Sequence, residues 1–579
     1  MRPASLLCVF VLAKLAILAG HTVPLSLWTP VAYFWQDVLI VLIFAAVDRT
    51  VSGRIAWIVY WALAIYAAVN IPVGRAVSTP LTWPMLRAAR GPLADSFLLY
   101  VTWTNAVLVL LVLTAAAVLG TRAWGLGNRG ARTFAMCAGI VVVALGPFAS
   151  ARVDTLGLDR NVVVALIVSA LPHASSQPNA GVWRTSPFEH GRAEDLSHFR
   201  GVAKDRNIVM VSLESTAAQY LKLYGGEQDV TPRLSSLAQN ALVFENSYAV
   251  YPESIKGLFS VLCSAFPAFD SLPEAYEKIP CRSVAAALAD AGYHTGLFHS
   301  GRFPYLGMEL IVHNRGYQTL EDAGDIGGNR NSSFGIDEPA TVSRILAWID
   351  GLPRGQRFFL TYLPIAGHHP YETPERGPFP ERDDIGRYRN ALHYGDASLG
   401  ELVDGLCVRG LEKETVWIIF GDHGEAFGQH EGNFGHTFFV YDENVRVPFV
   451  IAAPGLIREQ TRVRKVVSLV DAAPTILDLA GLSRPDGYQG ASMLDPDPRM
   501  ALFFTDYSLG MLGLRDGRWK FIYELDSHRS KLFDLDRDPR ETADVSKQNP
   551  ERTAWYSEAV QRPWHRLSSL CGLVPAGCP

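Results

Sequence analysis

The chain has 579 residues, of which 49% are hydrophobic and 19% charged, with a formal net charge of −5. That length exceeds one ordinary domain, and so small a balance of charge carries no basic footprint for nucleic acid. The apolar residues crowd into the first 150 positions, so a membrane segment is expected ahead of a soluble part of ordinary composition.

Five runs, roughly 4–20, 30–47, 55–73, 97–120 and 133–150, approach or exceed the length that spans a bilayer. The first follows Arg2 in the manner of a signal peptide. No small-x-small cleavage site precedes Gly20 and His21, however, and four more spans follow, which favours an uncleaved helix. With Arg2 inside, Arg49 and Arg54 fall inside, as do Arg122, Arg129 and Arg132. Arg75, Arg87 and Arg90 lie in an outer loop and weaken the bias without reversing it. Five crossings then deliver residue 151 onward to the outer face of the cell membrane. The segment 159–172 is too short to cross and is expected as a helix near the surface. The expected division is a membrane domain 1–172, a linker 173–205, a catalytic domain 206–490, a C-terminal subdomain 491–562 and a tail 563–579. Cys8 and Cys137 fall in the spans. Beyond them, an oxidising compartment allows Cys263–Cys281 and Cys571–Cys578 to bridge, leaving Cys407 free in a helix.

After the linker, strands and helices alternate. "NIVMVSLES" (207–215) is a strand that ends in an acid, and Thr231 and Pro232 open a helix that leads into a second strand. "RSVAAALADAGYHTGLFHSG" is helix, glycine stop and strand; "RFFLTYLPIAGHHPY" (357–371) and "TVWIIFGDHGE" are two further strands, both leading into histidine. Such alternation argues for a doubly wound α/β sheet with helices on both faces. Glu214, His299, His368 with His369, and Asp422 with His423 all follow the ends of these strands. Singly, each has an ordinary reading as a helix cap or a structural histidine. Together they occupy the edge where α/β sheets bind ligands.

The stretch "GDHGEAFGQHEGNFGH" (421–436) gathers Asp422, His423, Glu425, His430, Glu431 and His436. Carboxylate and neutral imidazole are the donors that Zn²⁺ and Mn²⁺ accept, so a metal site is expected rather than a solvated loop.

The serial motifs "TPRLSSLAQNALVFENSYA", "GYHTGLFHSG", "FFLTYLPIAGHHPYETP", "GDHGEAFGQHEG" and "HTFFVYDENVRVPFVIAAPG" resemble those of the sulfatase and alkaline-phosphatase superfamily over roughly 205–545. "GLRDGRWKFIYELDSHRSKLFDLDRDPRETADV" (513–545) resembles the sulfatase C-terminal subdomain. The five-span anchor with an outer catalytic domain resembles lipoteichoic acid synthases and related phosphoglycerol or phosphoethanolamine transferases. The resemblance implies an alkaline-phosphatase-like mixed sheet with a smaller α+β subdomain behind it. It also implies Ser254, in "YPESIKGLFSVLCSAFP", as the nucleophile. In sulfatases a C/S-x-P-x-R signature marks that residue for oxidation to formylglycine; here Lys256 and Leu258 replace the proline and the arginine, so an unmodified hydroxyl is expected. Ser215 stands where sulfatases carry a second acid. One divalent ion is then expected on Glu214, Ser254, Asp422 and His423. Mn²⁺ or Zn²⁺ suits the imidazole, and Ca²⁺ would suit a sulfatase. His299, His368, His436 and Lys256 would contact substrate, Lys256 by neutralising phosphate unless it is simply solvated. His369 and His430 are expected to be structural, and Arg446 to sit in a buried ion pair. The expected reaction moves a phospho-alcohol group from a membrane lipid donor through phospho-Ser254 to a cell-envelope glycan or lipid. Hydrolysis of a sulfate or phosphate ester is the alternative.

Overall fold

The computed structural model describes residues 2–88, 101–121, 129–171, 184–188, 194–269, 271, 273–277, 279–330, 334–525 and 527–571. It divides into two compact units, one of residues 1–173, 428–434 and 526–529, the other of 174–427, 435–525 and 530–579.

In the first unit, α1 (Arg2–Leu18), α2 (Thr29–Thr50) and α3 (Gly53–Val77) precede helices Trp103–Thr121 and Arg129–Ser150. Among the described residues, four stretches are long and apolar enough to cross a membrane: Thr29–Thr50, Gly53–Val77, Trp103–Thr121 and Thr133–Ser150. The run expected to form a fifth is α1, which has 17 residues and carries Lys14. That charge is matched inside the unit. Lys14 Nζ lies 2.6 Å from Asp37 Oδ2 and donates to the carbonyls of Tyr33 and Asp159, as buried charges in apolar surroundings require. The apolar segment expected near the surface is a nine-residue helix, Val162–Ala170.

The second unit is built on a nine-stranded mixed sheet. Its strands are β1 (Asn207–Leu213), β2 (Ala241–Tyr248), β3 (His294–His299), β4 (Thr319–Glu321), β5 (Phe358–Leu363), β6 (Thr415–Gly421), β9 (Arg446–Val447), β10 (Phe449–Ala452) and β11 (Thr461–Ser468). A separate two-residue ladder joins β7 (Ala426–Phe427) and β8 (Phe434–Gly435). The order across the main sheet is β11-β2-β10-β6-β1-β5-β3-β4, with β9 paired to β2. β6, β1, β5, β3 and β4 run parallel, while β10 is antiparallel to both of its neighbours.

The parallel strands are apolar on both faces because both faces are covered. Ile208 and Met210 of β1 pack into a core shared with helices Ser254–Cys263, Val284–Asp290 and Ala472–Leu479. Val209 and Val211, pointing the other way, pack with helices Glu338–Asp350 and Asp384–Val408. At roughly 25 cal/mol per Å² of apolar area, burying each large side chain stabilises this sandwich by about 1.5–3 kcal/mol before entropy is counted. A four-stranded sheet, β12 (Ala501–Thr505), β13 (Met511–Asp516), β14 (Trp519–Glu524) and β15 (Arg529–Asp534), follows. Leu502, Phe504, Leu514 and Phe521 pack there against Tyr556 of helix Pro550–Cys571. This is the smaller α+β part.

Cys263 and Cys281 form a disulfide, and Cys407 is free in helix Asp384–Val408. The other expected bridge, Cys571–Cys578, involves a position outside the described residues.

Candidate active site

Strand register assembles the site. Leu213 of β1 pairs with Gly421 of β6, so the next residues, Glu214 and Asp422, leave the sheet side by side. On the other flank His299 of β3 pairs with Leu363 of β5, which brings His299 and the chain leading to His368 to the same edge. Gly367 permits this approach, because a Cβ there would lie 2.1 Å from the Glu214 carbonyl oxygen.

Ser254 enters from the first turn of helix Ser254–Cys263, whose N-cap Glu253 accepts the Lys256 N–H. Its hydroxyl donates to Glu214 Oε2 at 2.9 Å, and its Oγ is 3.2 Å from His423 Nε2. His423 Nδ1–H donates to the Gly424 carbonyl, leaving Nε2 facing inward, 3.6 Å from Glu214 Oε1 and 3.5 Å from Asp422 Oδ2. Asp422 Oδ1 accepts the N–H groups of Ser215 and His423 at 2.9 and 2.7 Å. All four expected ligand residues therefore converge. Ser215 is not one of the converging group; its hydroxyl donates to Glu214 Oε1.

The chemistry of this donor set fits a divalent cation. Ligand atoms of Glu214, Asp422 and His423 lie within 4.8 Å of one another, and all three residues are buried. Among the described residues neither carboxylate is paired with lysine or arginine. Two acids, an imidazole nitrogen and a hydroxyl oxygen thus turn lone pairs toward one point, an arrangement that costs free energy without positive charge between them. Burial alone would raise the Glu214 carboxyl, but His423, His368 and His436 outweigh it and draw it down to about 2. Burial, and then the Glu214 charge, push Asp422 up to about 7.

Around this centre stand three more histidines. Burial opposes charge on His436, yet Glu425 Oε2 at 2.7 Å from Nδ1 prevails and raises it to about 9. The His436 ring lies 4.2 Å from that of His423 and 6.5 Å from that of His368. His299 and His368 are both lowered by burial and so stay neutral near pH 7; each donates Nδ1–H to a carbonyl, of Leu363 and His369 respectively.

Lys256 is neither solvated nor unpaired. Its Nζ lies 2.8 and 3.0 Å from the two oxygens of Asp506 and 4.6 Å above the Tyr251 ring, while Tyr251 OH donates to the same carboxylate. The stretch 421–436 also divides. Asp422, His423, Glu425 and His436 meet at the sheet edge, whereas His430 and Glu431 belong to the first unit, where Glu431 takes hydrogen bonds from His21 and Thr22. His369 lies edge-on to Tyr371. Arg446, expected in an ion pair, donates instead to the backbone carbonyl of Glu245.

Residue type and spacing alone missed Asp506 as the partner of Lys256 and the pairing of Glu425 with His436. Asp506 follows β12 as Glu214 follows β1, so the strand-end signal was present for it. Glu425 carried no such signal, because its role depends on His436 returning to it.

The comparisons agree with this geometry. The sulfatase family model matches residues 206–482, and that for the C-terminal part of N-sulphoglucosamine sulphohydrolase matches 429–562. Residues 206–482 are a sulfatase-family domain with an alkaline-phosphatase-like fold. A Vibrio parahaemolyticus protein of the alkaline phosphatase superfamily superposes with a TM-score of 0.51 at 19% identity, covering 65% of this chain and 90% of that one. The chain is 24% identical to the Bacillus subtilis lipoteichoic acid synthase-like YvgJ over 323 residues, 52% of each protein. It is 31% identical to Bos taurus arylsulfatase K over 230 residues, 34% of this chain and 42% of that protein. The chain thus spans about half the length of the curated relatives it matches.

Proposed function

We propose that the chain is a membrane-anchored phosphotransferase that moves a phospho-alcohol group from a lipid donor, through phospho-Ser254, to a cell-envelope glycan or lipid. One observation carries the reading: a plain serine hydroxyl donates to Glu214 while facing His423 Nε2, in a segment where Lys256 and Leu258 replace the proline and arginine of the formylglycine signature. A divalent ion, Mn²⁺ or Zn²⁺, held by Glu214, Asp422, His423 and the Ser254 oxygen, would supply positive charge that lowers the hydroxyl pKa.

Ser254 Oγ, its proton released to solvent, attacks phosphorus in line, forming a P–O bond as the bond to the leaving alcohol breaks. His436, kept protonated by Glu425, holds a non-bridging oxygen or gives the departing alcohol its proton. His299 and His368, neutral and with Nδ1–H donated to a carbonyl, keep an Nε2 lone pair that can accept a proton from the incoming alcohol. A second alcohol takes the group from serine and returns the proton. Lipid-borne donor favours a tethered enzyme, because the bilayer holds both at high effective concentration. The catalytic unit would lie on the outer face; a reporter active only in the cytoplasm, fused after residue 579, should then be silent.

The match to the sulphohydrolase C-terminal part and the arylsulfatase K relatives favour a second reading, ester hydrolysis. Intact mass after incubation with membrane lipids separates the two. A phosphoglycerol or phosphoethanolamine adduct on Ser254 supports transfer. A formylglycine, lighter by roughly 2 Da at residue 254, would support the sulfatase reading and overturn the first.

A further inference from the structure

A cavity of about 710 Å³ opens in the second unit between the ends of β2, β9 and β11 and the β13–β14 hairpin. None of Glu214, Ser254, Asp422 or His423 lines it. Six cations do: Arg446, Arg464, Lys465, Arg499, Arg515 and Arg518.

Five acids line it as well. Glu245 pairs with Arg462 and Arg464, and the Glu194 carboxylate takes the N–H groups of Arg464 and Lys465. Asp516 accepts from the hydroxyls of Ser186 and Tyr556. Asp442 is shared: Lys520 Nζ, wholly buried, is 2.7 Å away, and Arg446 and Arg515 act on the same carboxylate. The fifth is Asp536. By formal count the lining carries six cations to five acids, and Arg464, Arg499 and Arg518 are paired with Glu245, Asp495 and Asp534.

The decisive residue is Arg515. It is 5% exposed, yet its Nε and Nη1 have no hydrogen-bond partner among the described residues. The hydroxyl of Tyr248, fully buried on the same wall, also lacks one. Buried donors left without an acceptor are costly, more so when charged, so such a group signals a partner outside the chain. Each of these guanidinium N–H groups offers a charge-assisted bond to a phosphate or sulfate oxygen. The volume lies within the range of small-molecule sites and exceeds what a bare ion fills.

We propose that this cavity is a second, non-catalytic binding site for a tetrahedral oxyanion, a phosphate or sulfate group, held by Arg515 and Arg446 with the Tyr248 hydroxyl. The test is calorimetric titration of the full chain, with its metal, at fixed ionic strength, using inorganic phosphate and glycerol phosphate as probes. A saturable component is expected that survives in Asp422→Asn, weakens about tenfold or more in Arg515→Met and a few-fold in Tyr248→Phe. Tighter binding of glycerol phosphate would identify an esterified group as the ligand; equal binding would identify the free oxyanion. Should Arg515→Met not fold, Tyr248→Phe, which removes only one hydroxyl, carries the test. No saturable component in Asp422→Asn, or one unchanged in Tyr248→Phe and in whatever Arg515→Met protein folds, overturns the proposal. Neither result bears on whether Ser254 is the nucleophile.

Discussion

Asp422→Asn tests whether the paired carboxylates are built for a cation. Burial, then the Glu214 charge, push the Asp422 carboxyl from 3.8 to about 7. A carboxyl raised in this way contributes stability below 3.8 and loses it as pH rises through about 7, so above that range the folded chain carries the full cost of the charge. At about 1.4 kcal/mol per pH unit, the interval sets that cost at about 4 kcal/mol. Asparagine removes the charge but keeps an oxygen for the Ser215 and His423 N–H groups. Those hydrogen bonds are already counted in the shift. In chelator at about pH 8, Asp422→Asn should therefore be more stable than wild type by roughly 4 kcal/mol, and at about pH 5.5 by only about 2 kcal/mol. Excess Mn²⁺ or Zn²⁺ should offset that difference at the higher pH and reverse the order at the lower, since a ligand at about 1,000 times its Kd stabilises the protein that binds it by about 4 kcal/mol. Unfolding followed at both pH values, with and without metal, checks all three. A substituted protein less stable than wild type in chelator at the higher pH would refute the reasoning, as would an equal response to metal.

Ser254→Ala should abolish turnover while elemental analysis finds most of the metal retained, because Glu214, Asp422 and His423 remain; Ser254→Thr should keep measurable activity through its hydroxyl. Lys520→Met removes the cation 2.8 Å from Glu541 and one of the three acting on Asp442, 2.7 Å away, in a buried site, and should cost about 3–5 kcal/mol in denaturant unfolding. Cys281→Ser opens the loop closed by the bridge to Cys263, 18 residues away, and should cost about 3 kcal/mol, a loss that reducing agent reproduces in wild type and leaves unchanged in the variant.

What the chain discloses in one dimension is local. "NIVMVSL" and "TVWIIFG" are continuous apolar runs, which only strands covered on both faces tolerate, so β1 and β6 were legible with the acids that follow them. Placing those acids on one edge required only that the strands be parallel, since side-by-side parallel strands end together. The nucleophile was less legible: Ser254 lies six residues past β2, on a helix start, and its assignment rested on family resemblance rather than on spacing.

Pairings that depend on long-range return were not legible. Six acids and histidines lie within 421–436, yet nothing in their spacing separates His436, which comes back to Glu425, from Glu431, which bonds His21 some 410 positions away. Lys256 shows the same limit in the energetics. From sequence it is a lysine two residues beyond the nucleophile, free to meet phosphate or water. Only the arrival of β12 beside helix Ser254–Cys263 supplies Asp506, and with it a partner for the charge. The residue replacing the signature proline is thus tied into the wall of the site by its own ion pair. Reverting it to proline would leave Asp506 with only the Tyr251 hydroxyl of these two partners. The departure from the sulfatase signature is accordingly a linked pair of positions, 256 and 506, rather than a single substitution.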